Sequence, residues 1–299
     1  MNGFLNIDKP SGITSYDVIR RLKPFLSKTK IGHLGTLDPI ATGVLPIAIG
    51  YATRLIGYIK DNTKEYLAEM VLGSVSDTQD RTGRITRIAR EPVSETSIEK
   101  ALESLVGELE QIPPMYSAVR HQGRRLYELA REGMEVPVEP RMITVYYVNI
   151  QEVVQENDQQ MVRFKIGCSS GTYVRTICHD VGQTLGCGAY LNSLTRLRSG
   201  PFQIDEACDL DSIVANPGEI GARLLPLDFP LQDLPRVVLE PQQVWSVANG
   251  SPVLWPGGKE NELYRLYDQS GHLLAVARCQ ASANGRVLQP VKVLTGGLK

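Results

Sequence analysis

At 299 residues the chain is long enough for two domains, or for one large domain with a satellite. Hydrophobic residues make up 42% and charged residues 22%, which excludes a disordered or collagen-like chain. The formal charge of -1 argues against indiscriminate polyanion binding, and the longest apolar stretch, Val44 to Gly50, falls far short of the roughly 20 residues of a membrane-spanning helix.

The average charge conceals segregation along the chain. Residues 1–60 carry eight Lys or Arg against three acids, 158–200 five against two, and 236–299 seven against four, whereas 61–110 and 201–235 are acidic. The basic blocks either build a nucleic-acid surface or are ordinary solvated faces, and charge alone leaves both readings open. The first nine residues lack the basic region and apolar core of a secretion signal, so the cytoplasm is the expected location. The five cysteines (168, 178, 187, 208, 279) are odd in number, with no Cys-x-x-Cys pair. Reduced thiols are expected, with no disulfide framework and no thiolate metal site.

In chain order, Thr14-Ser-Tyr-Asp17 has the spacing of a capping box, and Val18, Ile19 and Leu22 share one helical face, so a helix of two turns is predicted, stopped near Pro24. Residues 66–72, 143–150 and 161–167 are predicted strands; in the last, Val162, Phe164 and Ile166 alternate with Arg163 and Lys165. Residues 94–106 carry a helical stripe (Ile98, Ala101, Leu102, Leu105, Val106) that is expected to end at Gly107. A boundary is expected near 226–235, where Pro226, Pro230 and Pro235 interrupt an acidic stretch. Beyond it, Arg236–Glu240, Leu263–Asp268, Leu273–Cys279 and Val291–Leu294 are candidate strands of a small β-rich unit.

Three segments carry residue types suited to chemistry. Gly32-His-Leu-Gly-Thr-Leu-Asp-Pro-Ile-Ala-Thr-Gly43 holds Asp38 before a proline, on a loop where functional groups are often displayed. The same dipeptide also serves simply to start a turn. Neither the dinucleotide fingerprint nor the Walker pattern is present, which argues against nucleotide hydrolysis. Gly171-Thr-Tyr-Val-Arg-Thr-Ile177 is β-prone, and on a strand Tyr173, Arg175 and Ile177 would share a face. Arg175 is then either at a wet sheet edge or buried with an anion, and Asp38 is the candidate partner. Such a contact would depress the Asp38 pKa by about 1 to 3 units. Finally, residues 115–127 hold Arg120, Arg124, Arg125, His121 and two tyrosines with no acid, a mixture suited to phosphates and unstacked bases, or to an exposed basic turn.

Together these segments resemble the TruB family of tRNA pseudouridine synthases over the first 225 residues or so, in order and spacing. The resemblance rests on Asp8-Lys-Pro-Ser-Gly-Ile-Thr-Ser15, Gly32 to Pro39, Lys64-Glu-Tyr66, Ile112-Pro-Pro-Met-Tyr-Ser-Ala118, Gly171 to Arg175 and Leu194-Thr-Arg-Leu197. It implies Asp38 as the essential aspartate, Arg175 as its partner and Tyr66 as the tyrosine stacking on the target base. Leu194 would be the apolar contact beneath that base, and His33 would help the RNA loop to open. Lys9 and Pro10 would support the site, while Tyr173, Arg124 and Arg125 would contribute to substrate binding.

The resemblance also implies an α+β pseudouridine synthase fold with a long, mixed, mainly antiparallel sheet. The catalytic domain would span residues 1–228 with an RNA-binding insertion at about 117–143, and a PUA-like C-terminal domain would occupy 233–299. The expected reaction converts uridine 55 of the tRNA T arm to pseudouridine, without cofactor, metal or guide RNA, by a monomer. Competing readings are a nucleosidase, which ordinarily needs two carboxylates where this motif offers one, a non-catalytic RNA-binding protein, and a guide-dependent dyskerin-type synthase.

Overall fold

A computed structural model of the chain describes residues 1–88, 91–134, 136–156, 159–283 and 285–294. The N-terminal half supplies β1 (Gly3–Lys9), α1 (Ser15–Leu22), β2 (Ile31–His33), β3 (Thr42–Ile49), β4 (Lys64–Leu72), β5 (Ser74–Ser76), β6 (Ile85–Arg87) and α2 (Glu95–Glu103). There follow β7 (Gly107–Gln111), β8 (Arg120–His121), β9 (Arg124–Arg125), α3 (Leu126–Arg131), β10 (Arg141–Glu156), β11 (Gln159–Cys168), α4 (Val174–Thr184), β12 (Ala189–Ser199), β13 (Phe202–Gln203), β14 (Cys208–Asp209), α5 (Leu210–Ala215) and α6 (Ile220–Arg223). The C-terminal part contains β15 (Arg236–Val238), α7 (Pro241–Ala248), β16 (Val253–Leu254), β17 (Leu263–Tyr267), β18 (Leu273–Ser282) and β19 (Gly285–Val293).

Among the described residues one sheet holds ten strands, along the path β14-β1-β3-β12-β4-β11-β10-β7, with β13 beside β12 and β2 beside β3. The β1/β14 and β3/β12 pairs are parallel and the others antiparallel, so the sheet is mixed and mainly antiparallel, as expected. A separate five-stranded sheet, β15-β17-β18-β19-β16, follows.

The α1 capping box forms: Asp17 N donates to Thr14 Oγ1 at 3.1 Å and Thr14 N donates to Asp17 Oδ2 at 3.0 Å. The helix buries Val18, Ile19 and Leu22, the face that the sequence pattern selects. One face of the large sheet packs on α1, α2, α4 and α5 to make the main core. The other buries Phe4, Val44, Ala48 and Phe202 against Leu231, Leu234, Val276 and Leu294, which joins the two sheets. The Phe4, Phe202 and Phe229 rings, with centroids 5.8 and 5.2 Å apart in succession, add about 0.5 to 1.5 kcal/mol per pair beyond their burial.

Three expectations need correction. The 171–177 segment is not a strand: after Gly171, at φ +89°, the chain enters α4. Val174, Ile177, Cys178 and Val181 are all buried, which is the i, i+3, i+4, i+7 stripe of a helix; its β-branched opening hid that period. Helix α2 ends at Glu103, short of the expected stop, and Gly107, at φ +125°, begins a strand instead. In the C-terminal unit α7, opened by Pro241, lies between the first two strands and was not anticipated.

Candidate active site

Strands β4 and β12 form the floor of the site. Side chains two apart on a strand share a face, and the antiparallel register sets Arg196 opposite Tyr66 and Leu194 opposite Ala68. Tyr66, Ala68 and Leu194 are buried in the main core together with Leu37 and Ile40, which anchor the β2/β3 loop on the same cluster. Asp38 lies between those two anchors and keeps 34% of its side-chain surface open, although protein crowds it on its other sides.

The Lys9-Pro-Ser-Gly-Ile-Thr-Ser15 segment explains why the loop holds its shape. Lys9 is fully buried, and its Nζ donates to Pro10 O and Ile13 O at 2.8 Å and to Pro39 O at 3.4 Å. Gly12 N donates to Pro39 O at 2.8 Å, and Ser11 Oγ donates to Ile40 O at 3.1 Å. Ser15 Oγ accepts from Leu37 N at 2.8 Å and donates to Leu37 O at 3.1 Å. The backbone on both sides of Asp38 is thus tied down by one motif.

Arg175 occupies the second position of α4, where a side chain leans back towards the helix start. It is 4% exposed, and its Nη2 lies 3.5 Å from Asp38 Oδ2 while donating to Tyr116 O at 2.7 Å. Its Nη1 lies 3.8 Å from Asp80 Oδ2. Arg175 is therefore buried with anions, the second of the two situations its sequence context allowed. The paired carboxylates offset the cost of a cation at the positive end of a helix. Tyr173 caps α4; its ring centroid is 5.6 Å from the Arg175 guanidinium, and the Gln111 side chain binds its backbone N–H and carbonyl at 2.8 and 3.1 Å.

Asp80 was missed by sequence reasoning. It is nearly buried, and its Oδ1 accepts from Thr78 Oγ1 at 2.9 Å, Thr82 N at 2.8 Å and Thr82 Oγ1 at 2.6 Å. The threonines two residues to either side were a local turn signal. Nothing local connects that turn to an arginine 95 positions later. Arg196 was also passed over, although its place on the same strand face as Leu194 was a signal: a charge at a core-facing position.

The electrostatics correct the expectation for Asp38. Burial pushes its pKa above the usual carboxylate range and the Asp80 charge adds to this; Arg175 and Lys9 oppose the rise without overcoming it. Arg175 is shared among Asp38, Asp80 and the Tyr116 carbonyl, so its charge is not spent on one partner. Burial also lowers Lys9 and Lys64, each to about 8, lowers His33, where the Arg196 charge adds to the effect, and raises Tyr66.

The structure thus brings Asp38, Arg175, Tyr173, Lys9 and Pro10 together, above a floor that includes Tyr66 and Leu194. His33 is half-buried at the end of β2, near Arg196. Arg124 and Arg125 stand apart on the exposed β8/β9 ribbon, where Arg124 pairs with Glu132 at 2.5 Å and Arg125 donates to Tyr127 Oη at 3.2 Å. Among the described residues no three His, Cys, Asp or Glu side chains group as a metal site, and no helix is long and apolar enough to cross a membrane.

The family model for the N-terminal domain of TruB family pseudouridylate synthases matches residues 23–174, and the model for the tRNA pseudouridylate synthase B C-terminal domain matches 175–232. The chain belongs to the TruB family. A tRNA pseudouridine synthase B of Syntrophomonas wolfei is 47% identical, with 98% of each chain covered. Its counterpart in Bacillus licheniformis is 37% identical, with 98% of this chain and 97% of that one covered. A solved H/ACA RNP bound to a substrate RNA containing 2'-deoxyuridine has a chain that matches with a TM-score of 0.73 and 26% identity, covering 98% of this chain and 85% of that one. A chain of a Cbf5-Nop10-Gar1 complex matches with a TM-score of 0.72 and 28% identity, at the same coverage. The junction between the two family models falls at Arg175, inside α4, so the large TruB sheet draws strands from both.

Proposed function

We propose that this TruB family protein isomerises uridine to pseudouridine at position 55 in the T arm of tRNA, with Asp38 as the reacting carboxylate. The observation that carries the reading is the juxtaposition of a partly open Asp38 with a buried Arg175 above a floor of Tyr66 and Leu194. The reaction breaks the C1'-N1 bond, turns the uracil and joins C5 to C1', with no net redox change and no group lost. A partly open carboxylate held beside a guanidinium suits attack at C1', stabilisation of a cationic C1', or a route through a glycal.

The target uridine must leave its stack, since its reacting atoms are inaccessible in a folded loop. Tyr66 and Leu194 supply the apolar walls that receive it, and Tyr173 extends them beside Arg175. His33 takes up space vacated in the RNA loop. Arg124 and Arg125, on their exposed ribbon within the 117–143 insertion, contact phosphates of the T stem. The sheet at 236–293 belongs to a second, PUA-like domain that reaches the acceptor region.

The test is incubation of purified protein with unmodified tRNA, and separately with a T-arm stem-loop, followed by mapping of pseudouridine. Product at position 55 without added guide RNA supports a stand-alone enzyme. The likeness to chains of H/ACA particles favours a second reading in which a guide RNA presents the substrate; product formed only when guide RNA is added would establish it. Release of free uracil would overturn both.

A further inference from the structure

Arg196 is a buried charge that the scheme above leaves unused. It is 1% exposed, and among the described residues it makes no ion pair with a carboxylate, whereas of the other buried arginines Arg175 has two and Arg265 one. An unpaired buried guanidinium opposes folding, so its retention calls for a role beyond packing.

Its surroundings indicate one. Arg196 Nε donates to Val44 O at 2.6 Å and Nη2 donates to Gly35 O at 3.1 Å, so the side chain spans the two ends of the loop that carries Asp38. The approach is close: a Cβ on Gly43, at φ +97°, would lie 2.3 Å from Arg196 O. Among the groups around it is Tyr66, opposite Arg196 in the sheet register, and the Arg196 charge favours the ionised form of its hydroxyl. A guanidinium has no acceptor, so it can meet the Tyr66 oxygen only as a charge or a donor.

We propose that Arg196 is a positioning residue of the reaction: it holds both ends of the Asp38 loop and stabilises negative charge on the Tyr66 oxygen while that oxygen relays a proton between two atoms of the uracil. The inference rests on the function proposed above. The proton count balances without a co-reactant. When C1'-N1 breaks, its electron pair stays on N1, which takes the Tyr66 proton and leaves a phenolate facing Arg196. Rotation brings C5 to the place N1 held, C5 bonds to C1', and the C5 proton passes to the phenolate, which restores the phenol. One oxygen serves both transfers because the two ring atoms occupy the same place in turn.

The experiment compares single-turnover conversion of unmodified tRNA by wild type, Arg196→Gln and Arg196→Lys, each with Tyr66 and with Tyr66→Phe, from pH 6 to 9. Thermal unfolding and tRNA affinity are measured in parallel. Arg196→Gln is expected to slow turnover about 100-fold, within the usual range for proton-transfer catalysis, with tRNA affinity retained. Combined with Tyr66→Phe it should add less than about threefold, because its effect passes through the missing hydroxyl.

Arg196→Lys should act well at pH 6 and fall behind wild type as the pH rises to 9, since a buried amine loses its charge there while arginine keeps its own. The charged or titratable groups around this position are Tyr66 and Lys64 of β4, Lys9 of β1, His33 of β2 and Cys168 of β11, which faces Lys64 in the sheet register, with Asp38 acting on Tyr66 and Lys9. They are present in both proteins, so the ratio of rates isolates the substituted side chain. A flat ratio, or a full Arg196→Gln penalty that persists with Tyr66→Phe, would overturn the inference and leave only a loop tie. Should Arg196→Gln fail to fold, the Arg196→Lys ratio decides alone. Absence of pseudouridine with wild type would instead overturn the proposed function.

Discussion

Asp80→Asn removes one charge from the Asp38/Arg175/Asp80 group while preserving its shape. The amide oxygen can accept the three hydrogen bonds now made to Oδ1, so the 78–82 turn should persist. The group that replaces Oδ2 is a donor facing Arg175 Nη1, where a carboxylate oxygen lay at 3.8 Å. At an effective dielectric constant near 20, the lost attraction is about 4 kcal/mol before desolvation is counted. Removing one partner of a buried pair typically costs about 3 to 5 kcal/mol, and Asp38 remains beside Arg175, so a net loss of about 1 to 3 kcal/mol in urea unfolding is expected. Turnover should fall about 10- to 100-fold, as Arg175 is drawn towards Asp38 and the reacting oxygens leave their resting geometry. The sign of the pH effect is also fixed: the Asp80 charge raises the Asp38 pKa, so its removal should move the acid limb of the rate profile to lower pH. Unchanged stability together with unchanged single-turnover rate would refute the reasoning, as would an acid limb displaced upwards.

Asp38→Asn should abolish turnover while tRNA binding persists, and measurable pseudouridine from that variant would remove Asp38 from its proposed role. The raised Asp38 pKa means that the ionised group weighs against the fold above that value; Asp38→Asn should therefore raise the melting temperature at pH 8, with the gain vanishing below about pH 4, where both states are protonated. Lys9 and Lys64 are lowered from 10.5 to about 8, so between those values the unfolded chain binds protons that the folded chain has released. Stability from these groups rises with pH across that window, and Lys9→Met should flatten the slope seen in urea titrations at pH 8 and 10. Arg124→Ala with Arg125→Ala should weaken tRNA binding and shallow its salt dependence, with little change in the rate of bound complex; affinity that does not respond to salt would contradict a phosphate contact.

Much of this protein was legible along the chain because the relevant physics is local. A capping residue and the helical spacing of Val18, Ile19 and Leu22 suffice for α1, and simple alternation suffices for β11. The motif that carries Asp38 could be recognised, and Arg175 could be named as its partner, because a cation among apolar residues requires an anion. The α4 helix was misread since its first residues favour strand and its stripe shows only when the window extends to Val181.

What remained was decided by contacts between distant segments. Asp80 and Arg175 lie 95 positions apart, and only the packing of the 78–82 turn against α4 brings them within 3.8 Å. Composition contains both ingredients of the Asp38 pKa, a carboxyl group and an arginine. Whether burial or pairing prevails depends on how closely other atoms exclude water, which is a property of the assembled cleft. The same holds for Arg196: its identity and strand face are written in the sequence, but that no carboxylate among the described residues reaches it follows only from the way β3, β4 and β12 close around the loop.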